Sequence, residues 1–160
     1  TLEVNIRFIL QKKFLLEKII PDRELELSLI QGALKIIEAN KEVSTDITKV
    51  LDQQFQEKIQ EFCDANKDHK YIEKLNEEIA RTISITADIE SINHQIDVEK
   101  NEKVKKELRL RTKKQTPVEA IRIGTMGRIS ELGLVQWEII GSQSKFSLGD
   151  EKLISSIVKK

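Results

Sequence analysis

The chain has 160 residues with 27 basic and 27 acidic side chains, so its formal net charge is zero. No overall field draws it to nucleic acid or to an anionic membrane, and a single cysteine, Cys63, excludes an internal disulfide. Aromatics make up only 4% of the chain beside many Ile, Leu, Lys and Glu, which points to helices packed by aliphatic side chains around a modest core.

Residues 2–10 fit two periods. Leu2, Val4, Ile6 and Phe8 alternate with polar residues as a strand would, while Leu2, Ile6, Ile9, Leu16 and Ile20 fall near one helical face. A helix over 3–20 is favoured, with a strand at 2–9 as the alternative. Pro21 ends it and suits the entry to a second helix. That helix, 24–39, carries Leu25, Leu29, Ala33 and Ile36 in one stripe, widened by Leu27, Ile30, Leu34 and Ile37. A stripe so broad predicts contact on two sides. Asn40 is the expected stop, and Ser44-Thr45-Asp46 offers side-chain caps for a third helix with Ile47, Val50, Leu51, Phe55, Ile59 and Phe62 on its apolar face. Cys63 reads as a small apolar residue of that helix. The polar stretch 64–68 ends it.

A fourth segment spans about 70–113. Ile72, Leu75 and Ile79 are followed by Ile85, Ile89, Ile92 and Ile96, spaced like the seam of a coiled coil or of a long bundle helix. The β-branched run at 82–86 between them predicts a kink or a change of register. An unbroken helix of this length either projects from the domain or breaks near Asn101. Five of the six glycines lie between 124 and 149. Pro117 therefore marks a boundary, and the short β-branched runs after it predict a two- or three-stranded meander holding Trp137. Asp150-Glu151 opens a short terminal helix with Leu153, Ile154, Ile157 and Val158 inward. The expected organisation is a helical region over 1–115 and a small β region with a terminal helix over 116–160.

Catalytic signals are sparse: the chain has no nucleophile elbow, no phosphate-binding loop and no zinc-protease helix. Glu90, His94 and Asp97 share a helical face at i, i+4 and i+7, a spacing that a metal accepts, yet a complete site needs further ligands. The other reading is a polar row beside the isoleucine seam. His69 belongs to a polar connection. Residues 100–114 are strongly basic, with Lys103, Lys105, Lys106, Arg109 and Arg111 at their centre. They suit nucleic acid or anionic lipid, although no aromatics interleave to stack bases. The alternative is a solvated helix end whose cations favour the negative pole of the helix dipole. Arg7, Lys12, Lys13 and Arg23 offer a third option, an anion pocket in an all-helical enzyme.

Arg122-Ile123-Gly124 through Ile129-Ser130, and Gly133 to Gln136-Trp137, resemble a short β segment in the extracytoplasmic region of long ExbB/TolQ-type proton-channel proteins and of their accessory coiled-coil proteins. About 20 residues carry the likeness. It implies a strand at the Arg-Ile-Gly triplet and a soluble region of an envelope-associated protein. Ile129 to Val135 are also similar to a stretch late in the catalytic core of RNase E/G, but the acidic metal-binding strand of that family is missing and this reading is set aside.

The sequence thus predicts a mainly α protein: a helical bundle or coiled coil with one long helix and a small C-terminal β meander. The expected role is non-enzymatic, in oligomerisation or assembly with a protein partner or a second copy. Ile85, Ile89, Ile92, Ile96 and Trp137 are the expected contact residues. No cofactor is expected. No apolar run approaches the ~18–20 residues of a membrane span, and the chain opens at Thr1 rather than Met, so its lack of a targeting segment carries no information on compartment.

Overall fold

Side-chain and glycine caps fix several of the helix ends. The computed structural model describes residues 10, 12–13, 23–40, 47–141 and 143–158. Leu10, Lys12 and Lys13 are helical, and the alternative of a strand at 2–9 lies outside the described residues. In chain order the elements are α1 (Glu24–Ala39), α2 (Ile47–Ala65), α3 (Ile72–Val98), α4 (Glu102–Arg111), α5 (Pro117–Glu131), β1 (Val135–Ile140), β2 (Gln143–Leu148) and α6 (Glu151–Val158). The fold is mainly α with one antiparallel β hairpin. Two compact units divide it: the described residues up to Lys58 with those from Arg122 onward form one, and Ile59–Ile121 form the other.

In the first unit α1 buries Leu29, Ile30, Ala33, Leu34 and Ile37, the broad stripe that its sequence shows. Asn40 ends it, its side-chain amide donating to the Ile36 carbonyl at 2.7 Å. Leu51 and Phe55 of α2, Met126 and Ile129 of α5, and Leu153, Ile154 and Ile157 of α6 are also buried. Helix α1 packs against β2 and α6, and Gln31 reaches the Ile157 carbonyl at 2.8 Å, satisfying one of the orphan acceptors at the end of α6. Asp150 caps the start of α6 by accepting from the Lys152 and Leu153 amides.

The expected meander is corrected over its first part. Residues 117–131 are helix, including the Arg122-Ile123-Gly124 triplet that was expected as strand. The reason is a capping box: the Glu119 amide donates to Thr116 Oγ1 at 3.1 Å, and the Thr116 amide donates to Glu119 Oε2 at 3.4 Å. Pro117 then takes the first helical position, where its missing N–H is not needed. The helix ends at Gly133, whose φ of +74° turns the chain into the left-handed region. Leu134 N–H donates to the Ile129 carbonyl and Gly133 N–H to that of Ser130, the two bonds of a Schellman cap.

Only then does the hairpin begin. Val135 pairs with Leu148, Trp137 with Phe146 and Ile139 with Ser144, around a turn led by Gly141. Gly149 closes its base: its N–H donates to the Leu134 carbonyl at 2.8 Å, and a Cβ there would run into the backbone of Gly133.

In the second unit the long segment is folded back on itself. Helix α3 runs unbroken through the β-branched stretch at 82–86, and the break comes after Val98, as the Asn101 alternative expects. Glu99 Oε1 accepts from the amides of Lys100 and Asn101, and Asn101 Oδ1 accepts from those of Lys103 and Val104. The turn thereby satisfies the first donors of α4 without outside help. Lys114 Nζ then lies 4.0 Å from Asp88, and the Val118 amide donates to Thr82 Oγ1 at 3.3 Å. A later residue meets an earlier one, so the arms are antiparallel about a turn near residue 100. Ile59, Cys63, Ile79, Ile92, Leu108 and Val118 are buried in this unit.

Four substitutions separate these causes. Gly124 and Gly127 lie within α5 with open space where a Cβ would stand. Alanine at either is expected to raise unfolding free energy by about 0.5–1 kcal/mol. Gly149→Ala should lower it, because rigid backbone stands in the way. Thr116→Ala should cost about 1 kcal/mol by loss of the cap. Urea unfolding of each variant checks the signs, and a loss at Gly124→Ala would contradict the helix.

Candidate functional site

The face formed by Ile85, Ile89, Ile92 and Ile96 lies on α3, within the second unit. Its spacing continues that of Ile72, Leu75, Ile79 and Thr82 with a one-residue shift between Thr82 and Ile85. Ile92 is buried at 6% exposure, whereas Ile85, Ile89 and Ile96 are only half-buried. The opposite arm explains this. Helix α4 buries one side chain, Leu108, which the register sets near Ile92. Along the same face of α4 stand Lys105 and, just beyond it, Thr112, both half-buried. Leu108 is thus the one buried side chain of α4, while Ile85, Ile89 and Ile96 of α3 stay partly accessible.

The basic segment forms α4 and the residues after it. Lys103, Lys106, Arg109 and Arg111 are exposed, and Lys105 is half-buried, 3.4 Å from Glu102. Arg109 and Arg111 lie in the last turn of α4, where the dipole favours cations, and Glu102 lies in the first, where it favours anions. Over 82–99, by contrast, the first arm carries Asp88, Glu90 and Asp97 on α3 and Glu99 in the turn, and no Lys or Arg. One arm of the hairpin is acidic near the turn and the other is basic.

Glu90, His94 and Asp97 are all exposed on α3. Among the described residues no group of three or more His, Cys, Asp or Glu side chains is placed to hold a metal ion, so the structure brings no further ligand to this ladder. His69 is exposed in the connection after α2, edge-on to Phe62 at 5.3 Å and beside Tyr71. Cys63 is buried, and burial, with the neighbouring Asp64 carboxylate adding, pushes its thiol pKa above the ordinary range. A buried thiol kept in its neutral form is a packing group, not a nucleophile.

Of the expected anion pocket, Arg7 lies outside the described residues, Lys12 and Lys13 are helical, and Arg23 is held 3.1 Å from Glu26. The arginines that the structure does bring to carboxylates are others. Glu26, nearly buried on α1, also receives Arg128 of α5 at 2.8 Å, and Arg122 of α5, 7% exposed, pairs with Asp52 of α2. Sequence reasoning missed these pairs because it placed Arg122 and Arg128 in a meander. The Thr116-Pro117-Val118-Glu119 capping box was the signal that would have put them on a helix six residues apart.

Trp137 stacks on its cross-strand partner Phe146, with ring centroids 5.7 Å apart. Its hairpin face grades from Val135, fully buried, through half-buried Trp137 to Ile139, which is 71% exposed. Trp137 Nε1 is buried without a hydrogen-bond partner. Ile140, on the opposite face, is also exposed. The tip of the hairpin is thus apolar on both faces.

Comparison with protein-family models, curated proteins and solved structures finds no match to this chain. No helix among the described residues is long and apolar enough to cross a membrane.

The arginine pairs make an ordered prediction. Arg122→Ala removes the guanidinium paired with a partly buried carboxylate and should cost about 2 kcal/mol, below the usual range for a fully buried pair because Asp52 keeps some solvent. Arg128→Ala, at a half-exposed position, should cost less than about 1 kcal/mol. Equal losses in denaturant titrations would contradict the ranking.

Proposed function

We propose that this protein is a non-enzymatic assembly module that associates through the isoleucine face of its helical hairpin. The observation that carries the reading is the unequal apolar load of the two arms: Ile85, Ile89 and Ile96 stay half-buried on α3, while α4 buries Leu108 alone. Covering such a face releases its hydration water, at roughly 25 cal/mol for each Å² buried. An apolar seam of this spacing is also what a coiled-coil or bundle contact uses. The exposed hairpin tip at Ile139 and Ile140 offers a second, smaller contact. Assembly beside a membrane complex, as the likeness to ExbB/TolQ-type extracytoplasmic regions implies, is the cellular setting in this reading.

A second reading rests on the exposed cations of α4, which suit a polyanion. It has less support, because acidic residues of the same hairpin already lie near Lys105 and Lys114 and no aromatic stands among the cations to stack on bases.

Sedimentation equilibrium on the full chain tests the first reading. The weight-average mass should rise above that of the monomer between micromolar and millimolar concentration. A constant monomer mass across that range would contradict self-assembly.

A further inference from the structure

We infer that the partner covering the isoleucine face is a second copy of this chain, with the acidic arm of each hairpin laid against the basic arm of the other. This rests on the assembly reading above and commits it to one occupant and one orientation.

Three features point to it. The partly covered surface is one face of α3, where Ile85, Ile89 and Ile96 stay half-buried beside an arm whose helix buries Leu108 alone. A second hairpin supplies the missing third and fourth helices of a bundle core, and short-looped antiparallel helices are suited to that packing. The arms also differ in charge. Asp88, Glu90 and Asp97 stand on α3 and Glu99 just after it with no Lys or Arg among them, while 102–114 holds seven cations against Glu102 and Glu107.

The third feature is where those charges sit. Glu90 and Asp97 each follow a seam isoleucine, Ile89 and Ile96, by one position. Lys106 and Arg109 each follow Lys105 and Leu108, on the corresponding face of α4, by one position. All four charges are exposed. They border the apolar strip and do not interrupt it. A two-fold contact is self-complementary, so whatever residue i meets across the axis, the partner's copy of i meets in return. Two copies related in this way place both acidic borders on both basic borders. Turning one copy over sets like charge on like, which fixes the orientation.

The same geometry makes the pairing testable by charge exchange. Lys106→Glu with Arg109→Glu makes the charged borders of both arms acidic, and Glu90→Lys with Asp97→Lys makes both borders basic. Each double variant alone should associate at least tenfold more weakly than the unmodified chain, with helical circular dichroism unchanged. An equimolar mixture of the two should recover a heterodimer by sedimentation, because each acidic border again faces a basic one. That recovery also shows that neither variant is simply misfolded. Salt at 0.5 M should weaken the unmodified dimer severalfold.

If the unmodified chain associates but neither variant weakens it, this inference fails while the assembly reading stands. If the unmodified chain stays monomeric, both fail. A monomer retained on a heparin column, and released by Lys106→Glu with Arg109→Glu, would overturn the inference in favour of polyanion binding.

Discussion

The turn at Glu99–Asn101 is the constraint on which the second unit depends. Glu99 and Asn101 between them take up four backbone donors, so the chain reverses on its own chemistry and needs no packing partner to do it. The reversal brings a helix rich in isoleucine against one rich in lysine and arginine. A longer unbroken helix would have kept its seam wholly exposed; a more apolar second arm would have covered it. This sequence does neither. It closes the hairpin through Thr82, whose hydroxyl donates to the Glu78 carbonyl within its own helix and accepts the Val118 amide from the other arm, and it leaves the isoleucines near the turn half-covered.

The first unit is completed differently. Its buried residues are mostly aliphatic, from α1, α2, α5 and α6, and its ion pairs are arginine–carboxylate pairs that are partly buried. Such pairs cost solvation as well as supplying attraction. Glu26 is the sharpest case: with a side chain only 10% exposed, it lies beside both Arg23 and Arg128. The hairpin at the far end of the chain rests on this unit through Val135, Phe146 and the closure at Gly149, and its tip extends beyond that support.

Long, strongly periodic segments were legible in the sequence. The stripe of α1, the stop at Asn40, the break near Asn101 and the inward face of α6 follow from apolar spacing and cap residues, because each is decided by neighbours within a turn or two. Val50 was not, since two adjacent apolar residues, Val50 and Leu51, compete for one face and only Leu51 is buried. The error over 117–131 has a clear physical source. Two glycines and several β-branched residues lower helix propensity there, but a capping box at one end and a Schellman cap at the other fix the helix, and burial of Met126 and Ile129 completes it. Local propensity yielded to caps and packing. The isoleucine face was visible as a pattern, whereas its half-covered state was not, because that depends on which residues the turn brings opposite.

Hydrogen exchange resolved along the chain tests the central claim most directly, since it locates an association as well as detecting one. If the isoleucine face is completed by a second copy, amides of residues 85–96 should exchange more slowly as protein concentration rises from micromolar toward millimolar, while those of α6 keep one rate throughout. Exchange over 85–96 that is independent of concentration would contradict the account.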